Sequence, residues 1–196
     1  MNDGNTVLAP SLVRIDLGAG QNKKEGFTGM DRWEGSNIVH DLLDLPWPFE
    51  DGSVDELHCS HVMEHFVGED QMKIMDEAFR VLKFSEADAS STIGTLTVIV
   101  PSWNSVRMWQ DPTHKSPFPD ARAHYFNKEW RTLNKLDHYP IKSDFDFTAF
   151  YQMIDPGNGI PGFITRSREA QLFAMHYYNN VIADTTIVFR KARRKA

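Results

Sequence analysis

The amino-acid sequence predicts an α/β protein, a single doubly wound, mostly parallel sheet with a reduced or missing first helix. Three observations carry this. Short apolar segments recur through the first hundred residues, each ending near a turn residue or an acid. The segment at 95–100, TLTVIV, is β-branched and almost continuously apolar, which suits a strand buried on both faces of a parallel sheet. An amphipathic helical pattern lies between the last two segments, and strand, helix, strand in that order makes a right-handed crossover between parallel strands.

Taken in order, strands are expected at 12–17, 26–30, 37–39, 54–59 and 95–100. A helix is expected over 70–83, where Met72, Met75, Ala78, Phe79 and Leu82 recur at three- and four-residue steps between charged residues. The polar stretch 84–94, FSEADASSTIG, reads as a surface loop. Residues 101–119 are rich in Pro, Trp and polar residues without a period. They read as a long ordered loop, and 101–140 is assigned as a lid and acceptor-binding region. A helix over 122–136, a strand over 145–153, a helix over 167–178 capped by Thr165 or Ser167, and a final strand over 183–190 complete the pattern. Parallel β/α units followed by late strands argue for the doubly wound sheet. The 196 residues are read as one domain, 1–196.

Composition narrows the classes. Hydrophobic residues make up 41% and charged residues 24%, ordinary for a globular protein. No apolar run approaches the roughly 20 residues of a membrane helix. The N-terminal MNDGNTVLAP has neither the basic start nor the apolar stretch of a signal peptide. A single cysteine, Cys59, excludes an intramolecular disulfide and a Cys-rich zinc site. A cytoplasmic location is therefore expected. The net charge of −6 argues against bulk attraction of nucleic acid phosphates. The basic residues Arg190, Lys191, Arg193, Arg194 and Lys195 read as a solvated, frayed end.

The informative stretch is VRIDLGAG at 13–20. A strand ends in Asp16, and Gly18 and Gly20 follow at once, allowing a tight turn and close approach of a ligand to the main chain. In open α/β sheets ligands sit beyond the carboxyl ends of the strands. The dinucleotide fingerprint has a third glycine three residues after the second; here that residue is Lys23. Only about nine residues separate Leu17 from Phe27, too few for the usual crossover helix. A nicotinamide-dependent oxidoreductase is disfavoured on both counts. The second strand ends at Asp31, where a carboxylate can accept from both hydroxyls of a ribose diol. Asp41 offers another carboxylate after the third. The bland alternative for each acid is a turn or helix cap.

IDLGAG, then GMD, then HDLLDLPWPFEDGSVDELHCSHVMEH, then EAFRVLK and TLTVIVPS resemble class I S-adenosylmethionine-dependent methyltransferases, in particular a small branch with a shortened first crossover. The resemblance covers about residues 12–118. It implies a Rossmann-like methyltransferase fold and S-adenosylmethionine as cofactor. It also implies that Asp16, Gly18 and Gly20 hold the methionine portion, that Asp31 binds the ribose, and that Asp41 and the Leu42 backbone address the adenine. Ser60 and His61 would flank the methionine or the methyl group. Three departures stand out: the missing first helix, the longer 84–94 loop in place of a tight turn, and a last third with no counterpart, which leaves the acceptor unidentified.

Methyl transfer from a sulfonium is an in-line displacement that needs orientation and a dry, shaped site. A hydroxyl or protonated amine acceptor also needs a base. The candidates are His61 and His114, with His65 weaker, and Asp111 is placed to orient His114 or to start a turn. His61 and His65 have the spacing of two metal ligands on one helical face, but the metalloprotease pattern puts Glu directly after the first His, where this chain has Val62. No metal is expected. Trp103, Trp109, Phe118, Tyr125, Phe126 and Trp130 surround the lid and serve as core or as an aromatic box. Trp47 and Phe49 are expected to pack beneath the loop near the adenine. The expected function is methyl transfer to an unidentified acceptor, a small molecule, a sugar-like group or a modified macromolecule. The alternative is a non-catalytic cofactor-binding or scaffold module of the same fold.

Overall fold

The computed structural model describes residues 12–85, 91–154 and 166–191. Its strands are β1 (Arg14–Leu17), β2 (Thr28–Asp31), β3 (Ile38–Val39), β4 (Glu56–Ser60), β5 (Thr95–Pro101), β6 (Phe145–Met153) and β7 (Ile182–Lys191). They form a seven-stranded sheet in the order β3-β2-β1-β4-β5-β7-β6. β1 pairs in parallel with β2 and β4, as do β2 with β3 and β4 with β5. β7 is antiparallel to both β5 and β6. The chain winds outward from β1 to β3, then returns to place β4 on the other side of β1. The carboxyl ends of β1 and β4 are therefore the topological switch point, and the crevice that open α/β sheets use for ligands is expected outside them.

β5 has the predicted character: Thr95, Leu96, Val98, Val100 and Pro101 are buried. The helix between β4 and β5 is α1, Gly68–Val81, which buries Ile74, Met75, Ala78 and Val81 on one face. It starts two residues before the expected position, with Glu69 and Asp70 in the first turn, where acids complement the helix dipole. It stops early because Leu82 turns extended and forms a bridge with Val54, through hydrogen bonds from Val54 N to Val81 O and from Lys83 N to Val54 O.

The first helix is absent, as the short crossover predicts. Residues 18–27 instead form turns. Ala19 and Lys23 lie so close to β2 that a Cβ on Gly29 would stand 3.1 Å from the Ala19 Cβ and 3.2 Å from the Lys23 stem. Phe27 is buried there, with the Lys24 ammonium 4.8 Å from its ring centroid.

Three expectations need correcting. The 122–136 helix is broken into α3 (Asp120–Ala123), a 3-10 turn at His124–Phe126 and α4 (Lys128–Leu133). The break is at Asn127, whose backbone is extended; its side chain accepts from Trp130 N and donates to Phe145 O, starting a new helix. The 101–119 loop contains one helical turn, α2 (Val106–Trp109), capped by Ser105 Oγ accepting from Arg107 N. Arg190 and Lys191 belong to β7 rather than to a frayed end. Lys191 is buried, with its ammonium donating to Leu82 O at 2.8 Å and lying over the Phe79 and Phe84 rings.

The strand at Phe145–Met153 is as expected, and α5 (Arg168–Tyr177) is capped by Ser167, which accepts from Ala170 N. The alternative cap, Thr165, and part of the 84–94 loop, 86–90, lie outside the described residues, as do Arg193, Arg194 and Lys195. An aromatic core of Phe118, Phe126, Phe145 and Phe189 packs the later half of the sheet, Phe118 stacking on Phe126 at 6.0 Å. No helix among the described residues is long and apolar enough to cross a membrane.

Candidate active site

The turn after β1 is built on two left-handed glycines. Gly18 (φ 65°) donates its N–H to Met30 O at 2.8 Å, and a Cβ there would meet the Val62 methyls at 2.5 and 2.8 Å. Val62 follows β4, so Gly18 is small because the two sides of the crevice touch at this point. Gly20 (φ 50°) differs: a Cβ there meets nothing within 4 Å. Its N–H donates to Asp31 Oδ2 at 3.0 Å, while Asp31 Oδ1 accepts from Trp33 N at 2.8 Å. Asp31 thus ties the end of β2 to the glycine turn and retains lone pairs for a further donor.

Asp16 and Asp41 have other partners. Asp16 is buried in mid-strand; its Oδ1 is 2.7 Å from His58 Nδ1 and its Oδ2 accepts from Lys24 N at 2.8 Å. Asp16 and His58 are register partners on β1 and β4, so their side chains share one face of the sheet. Both oxygens serve this buried pair, which closes the face left bare by the missing helix. Asp41 is exposed, and its Oδ1 accepts from Leu43 N, a local turn. Leu42 is buried, and its carbonyl accepts from the Trp47 indole N–H at 3.0 Å, which puts Trp47 beneath the 41–47 loop as expected. The three acids stand at three neighbouring strands, but only Asp31 touches the glycine turn.

Ser60 ends β4, and His61 follows in a left-handed conformation (φ 56°). For a non-glycine residue this backbone is uncommon. His61 N donates to Ile99 O, which holds the turn against β5. Its Nδ1 is 3.4 Å from Glu64 Oε1, and the Glu64 carboxylate raises the imidazole above its ordinary range. Asp184 raises it further, while Arg107, 3.4 Å from Asp184, opposes. Cys59, one residue before Ser60, is buried, which pushes its thiol far up and leaves it inert.

His114 lies in the 111–118 segment, its Nδ1 2.8 Å from Met108 O. This segment is fastened rather than loose. Lys115 N and Ser116 N donate to Glu64 O, and the fully buried Gln71 of α1 donates to Met63 O, Phe66 O and Ser116 O. Arg122 binds the Gln71 carbonyl from the other side. Of the aromatic residues considered for a box, Phe118 and Phe126 are core, while Trp103 and Trp109 are exposed. Tyr125 and Trp130 pack against each other and against Tyr139 and His124.

Sequence reasoning missed Glu64, which is fully buried beside His61, His65 and His114. Its signal was present: His61, Glu64 and His65 have i, i+3, i+4 spacing, one face of a helical turn. It also missed His58, a polar residue between Leu57 and Cys59 that a strand buried on both faces must pair. Beyond the ends of β5 and β7, at the same sheet edge, lies a groove of about 470 Å³ lined by residues including Trp103, Asp120, Tyr151, His176 and Tyr178. Tyr151 donates to Asp120, and burial, then that carboxylate, pushes the phenol up to about 12.

A sheet ordered 3-2-1-4-5-7-6 with only its seventh strand reversed, and a glycine turn tied to an acid at the end of β2, define the Rossmann-like fold of class I S-adenosylmethionine-dependent methyltransferases. In sequence, residues 11–85, from the approach to β1 through α1, match the model of a methyltransferase domain family. A methyltransferase dependent on S-adenosylmethionine from Archaeoglobus fulgidus is 18% identical, covering 92% of this chain and 86% of that one, with a TM-score of 0.61. One from Methanosarcina mazei is 15% identical over 95% of each chain, with a TM-score of 0.54. The YcgJ protein of Bacillus subtilis is 15% identical over 94% of each, with a TM-score of 0.53. No curated protein matches the sequence.

Proposed function

We propose that the chain binds S-adenosylmethionine in the crevice between β1 and β4 and transfers its methyl group to an acceptor placed beyond the ends of β4 and β5. The observation that carries the reading is the bond from Gly20 N to Asp31 Oδ2 beside a glycine face with nothing within 4 Å of a built Cβ. An adenosyl group needs such a place: open main chain on one side, a carboxylate with free lone pairs on the other. Asp31 would accept from the ribose hydroxyls, and the Gly18–Gly20 turn would lie under the methionine portion. Asp16 would act by holding the turn through Lys24 N. The 41–42 turn would border the adenine, with Asp41 exposed to it and Leu42 contributing its N–H, since its carbonyl is taken by Trp47.

Bound there, the cofactor supplies a sulfonium methyl for in-line displacement. Ser60 and His61 stand at the β4 end of the crevice, where the methyl group would face the acceptor. His61 is pulled towards its protonated form by Glu64, so it serves as a proton acceptor only after losing that proton. His114, fastened under the 111–118 segment, is the second base candidate. The aromatic groove at the ends of β5 and β7 supports a planar or sugar-like acceptor.

Calorimetry with S-adenosylmethionine and S-adenosylhomocysteine tests the reading. Both are expected to bind below millimolar concentration, and Asp31→Ala is expected to weaken binding by about 1–3 kcal/mol, the range for losing a buried hydrogen-bond partner. No binding by the folded protein, or an unchanged affinity in the variant, refutes it. Binding of both without turnover of any acceptor would favour the scaffold reading.

A further inference from the structure

Glu64 sits in a 3-10 turn (Met63–His65) after β4, fully buried, and neither of its carboxylate oxygens has a hydrogen-bond partner. Folds rarely retain a buried carboxylate without compensation. What faces it are imidazoles. One donor atom each from Glu64, His65 and His114 lie within 4.8 Å of one another, and His114 Nε2 is 3.9 Å from Glu64 Oε1. The two rings meet edge to face at 4.8 Å.

The hydrogen bonds around the rings fix which nitrogen holds the proton. His114 Nδ1 is 2.8 Å from Met108 O, and a carbonyl only accepts, so Nδ1 carries the hydrogen. Nε2 faces two carboxylates, Glu64 at 3.9 Å and Asp111 at 3.8 Å, and in the neutral ring it is the nitrogen with the lone pair. His65 Nδ1 is 3.1 Å from Thr113 Oγ1, whose own proton goes to Asp111 Oδ1 at 2.7 Å. That ring therefore donates through Nδ1 as well, and its lone pair is on Nε2. Two imidazoles and a buried carboxylate thus lie together, the carboxylate with no hydrogen bond that satisfies it and only His61 Nδ1, at 3.4 Å, as an ion-pair partner. Each ring is held from behind by the kind of carbonyl or hydroxyl partner that orients metal-ligating histidines.

We propose that Glu64, His65 and His114 form a binding site for one divalent transition-metal ion, zinc being the ion that the donor set fits. Two imidazoles and one carboxylate, with a position left over, is a ligand set of catalytic zinc. Nitrogen supplies two of the three donors, which disfavours magnesium and calcium. Bonds of about 2.0–2.2 Å place tetrahedral ligands roughly 3.3–3.6 Å apart, so donors now within 4.8 Å of one another would draw in by about 1 Å through side-chain rotations. His61, 3.4 Å from Glu64 Oε1, flanks the site. The ion's open position would face the acceptor end of the crevice. That consequence rests on the methyl-transfer reading; the binding itself does not.

The test uses the full chain without a histidine tag, stripped with a chelator and titrated with Co²⁺. A visible d–d band should rise and saturate at one equivalent, bleach on addition of Zn²⁺ and persist in excess Mg²⁺. Glu64→Gln and His114→Ala should each weaken Co²⁺ binding at least tenfold, with the circular dichroism unchanged. In chelator Glu64→Gln should melt no lower than the wild type, and with Zn²⁺ present the wild type should melt higher. No band and no Zn²⁺-dependent shift in the folded wild type overturn the proposal, leaving Glu64 as the ion-pair partner of His61. So does a Co²⁺ affinity unchanged in both variants. If a variant fails to fold, the wild-type titration decides alone. Neither readout needs the methyl donor, so failure here leaves the cofactor calorimetry standing, and the converse holds.

Discussion

The two glycines of the β1 turn do different work, and substituting alanine at each separates packing from ligand binding. At Gly18 the new Cβ would stand 2.5 and 2.8 Å from the methyls of Val62, which is 9% exposed and β-branched. A β-branched side chain has few other rotamers to adopt, so the backbone of the crevice must move. Such overpacking costs about 1–3 kcal/mol, and the left-handed backbone adds roughly 1–2 kcal/mol. Gly18→Ala is therefore expected to lose about 2–5 kcal/mol, a fall in Tm of roughly 4–20 °C for a domain of this size. At Gly20 the built Cβ meets nothing within 4 Å, so only the backbone cost of roughly 1 kcal/mol applies. The same methyl group would stand in the space assigned to the cofactor, and S-adenosylhomocysteine affinity should fall at least tenfold. Urea denaturation and calorimetry on both variants, with Gly18→Ala/Val62→Ala as the relief control, measure this. A Gly18→Ala protein within about 0.5 kcal/mol of wild type would refute the packing argument. A Gly20→Ala protein that binds normally would take the ligand out of this turn.

Asp16→Ala should destabilise the protein by about 2–4 kcal/mol in urea denaturation, because it leaves the buried His58 Nδ1 without its partner and frees Lys24 N from the turn; a loss under about 1 kcal/mol would show that the pair is not needed to close this face. Burial lowers the Lys191 ammonium below its ordinary range. A lysine lowered in the folded state gives up its proton before the unfolded chain does, so folding stability rises with pH in the window between the folded value and the ordinary 10.5. Relative to Lys191→Met, the wild type should gain stability as the pH rises towards 10.5, as read by urea midpoints; parallel curves would contradict the assignment.

The parts of the fold legible in the sequence were those where periodicity and burial coincide. β5 is apolar almost throughout and α1 carries its stripe at regular steps, so local pattern and tertiary place agree. The missing helix was legible from chain length alone. The 122–136 helix was misread because its apolar residues suit a helix while Asn127 takes its partners from β6, a contact that no local pattern contains. The end of β7 was misread for a similar reason: Lys191 looks like a solvated cation, but two aromatic rings and a helix-end carbonyl enclose it. In the candidate site, the left-handed glycine turn and the place of Asp31 at the end of β2 were legible because their spacing encodes backbone geometry. The separate roles of Asp16 and Asp41 depend on partners across strands and in turns, and the sequence alone makes the three acids look equivalent.

The arrangement along the sheet edge explains why this chain can do without its first helix. A helix there would bury the face of β1 and β4 on which Asp16 and His58 stand. The chain covers that face with a polar pair and the compact 18–27 turn, and Lys24 N couples the pair to the glycine turn. The position of Gly18 and Gly20 is thus set by a strand-to-strand hydrogen bond rather than by helix packing. On the other side of the crevice the 111–118 segment is fixed to the Met63–His65 turn through Gln71 and Glu64's own carbonyl. Both walls are therefore held by buried polar groups, which are directional and tolerate little displacement. It follows that stability and site geometry are coupled here. Changes at Asp16 or Gln71, neither of which needs to touch an acceptor, should move the two walls relative to each other, whereas removing an exposed residue such as Trp109 should leave them in place.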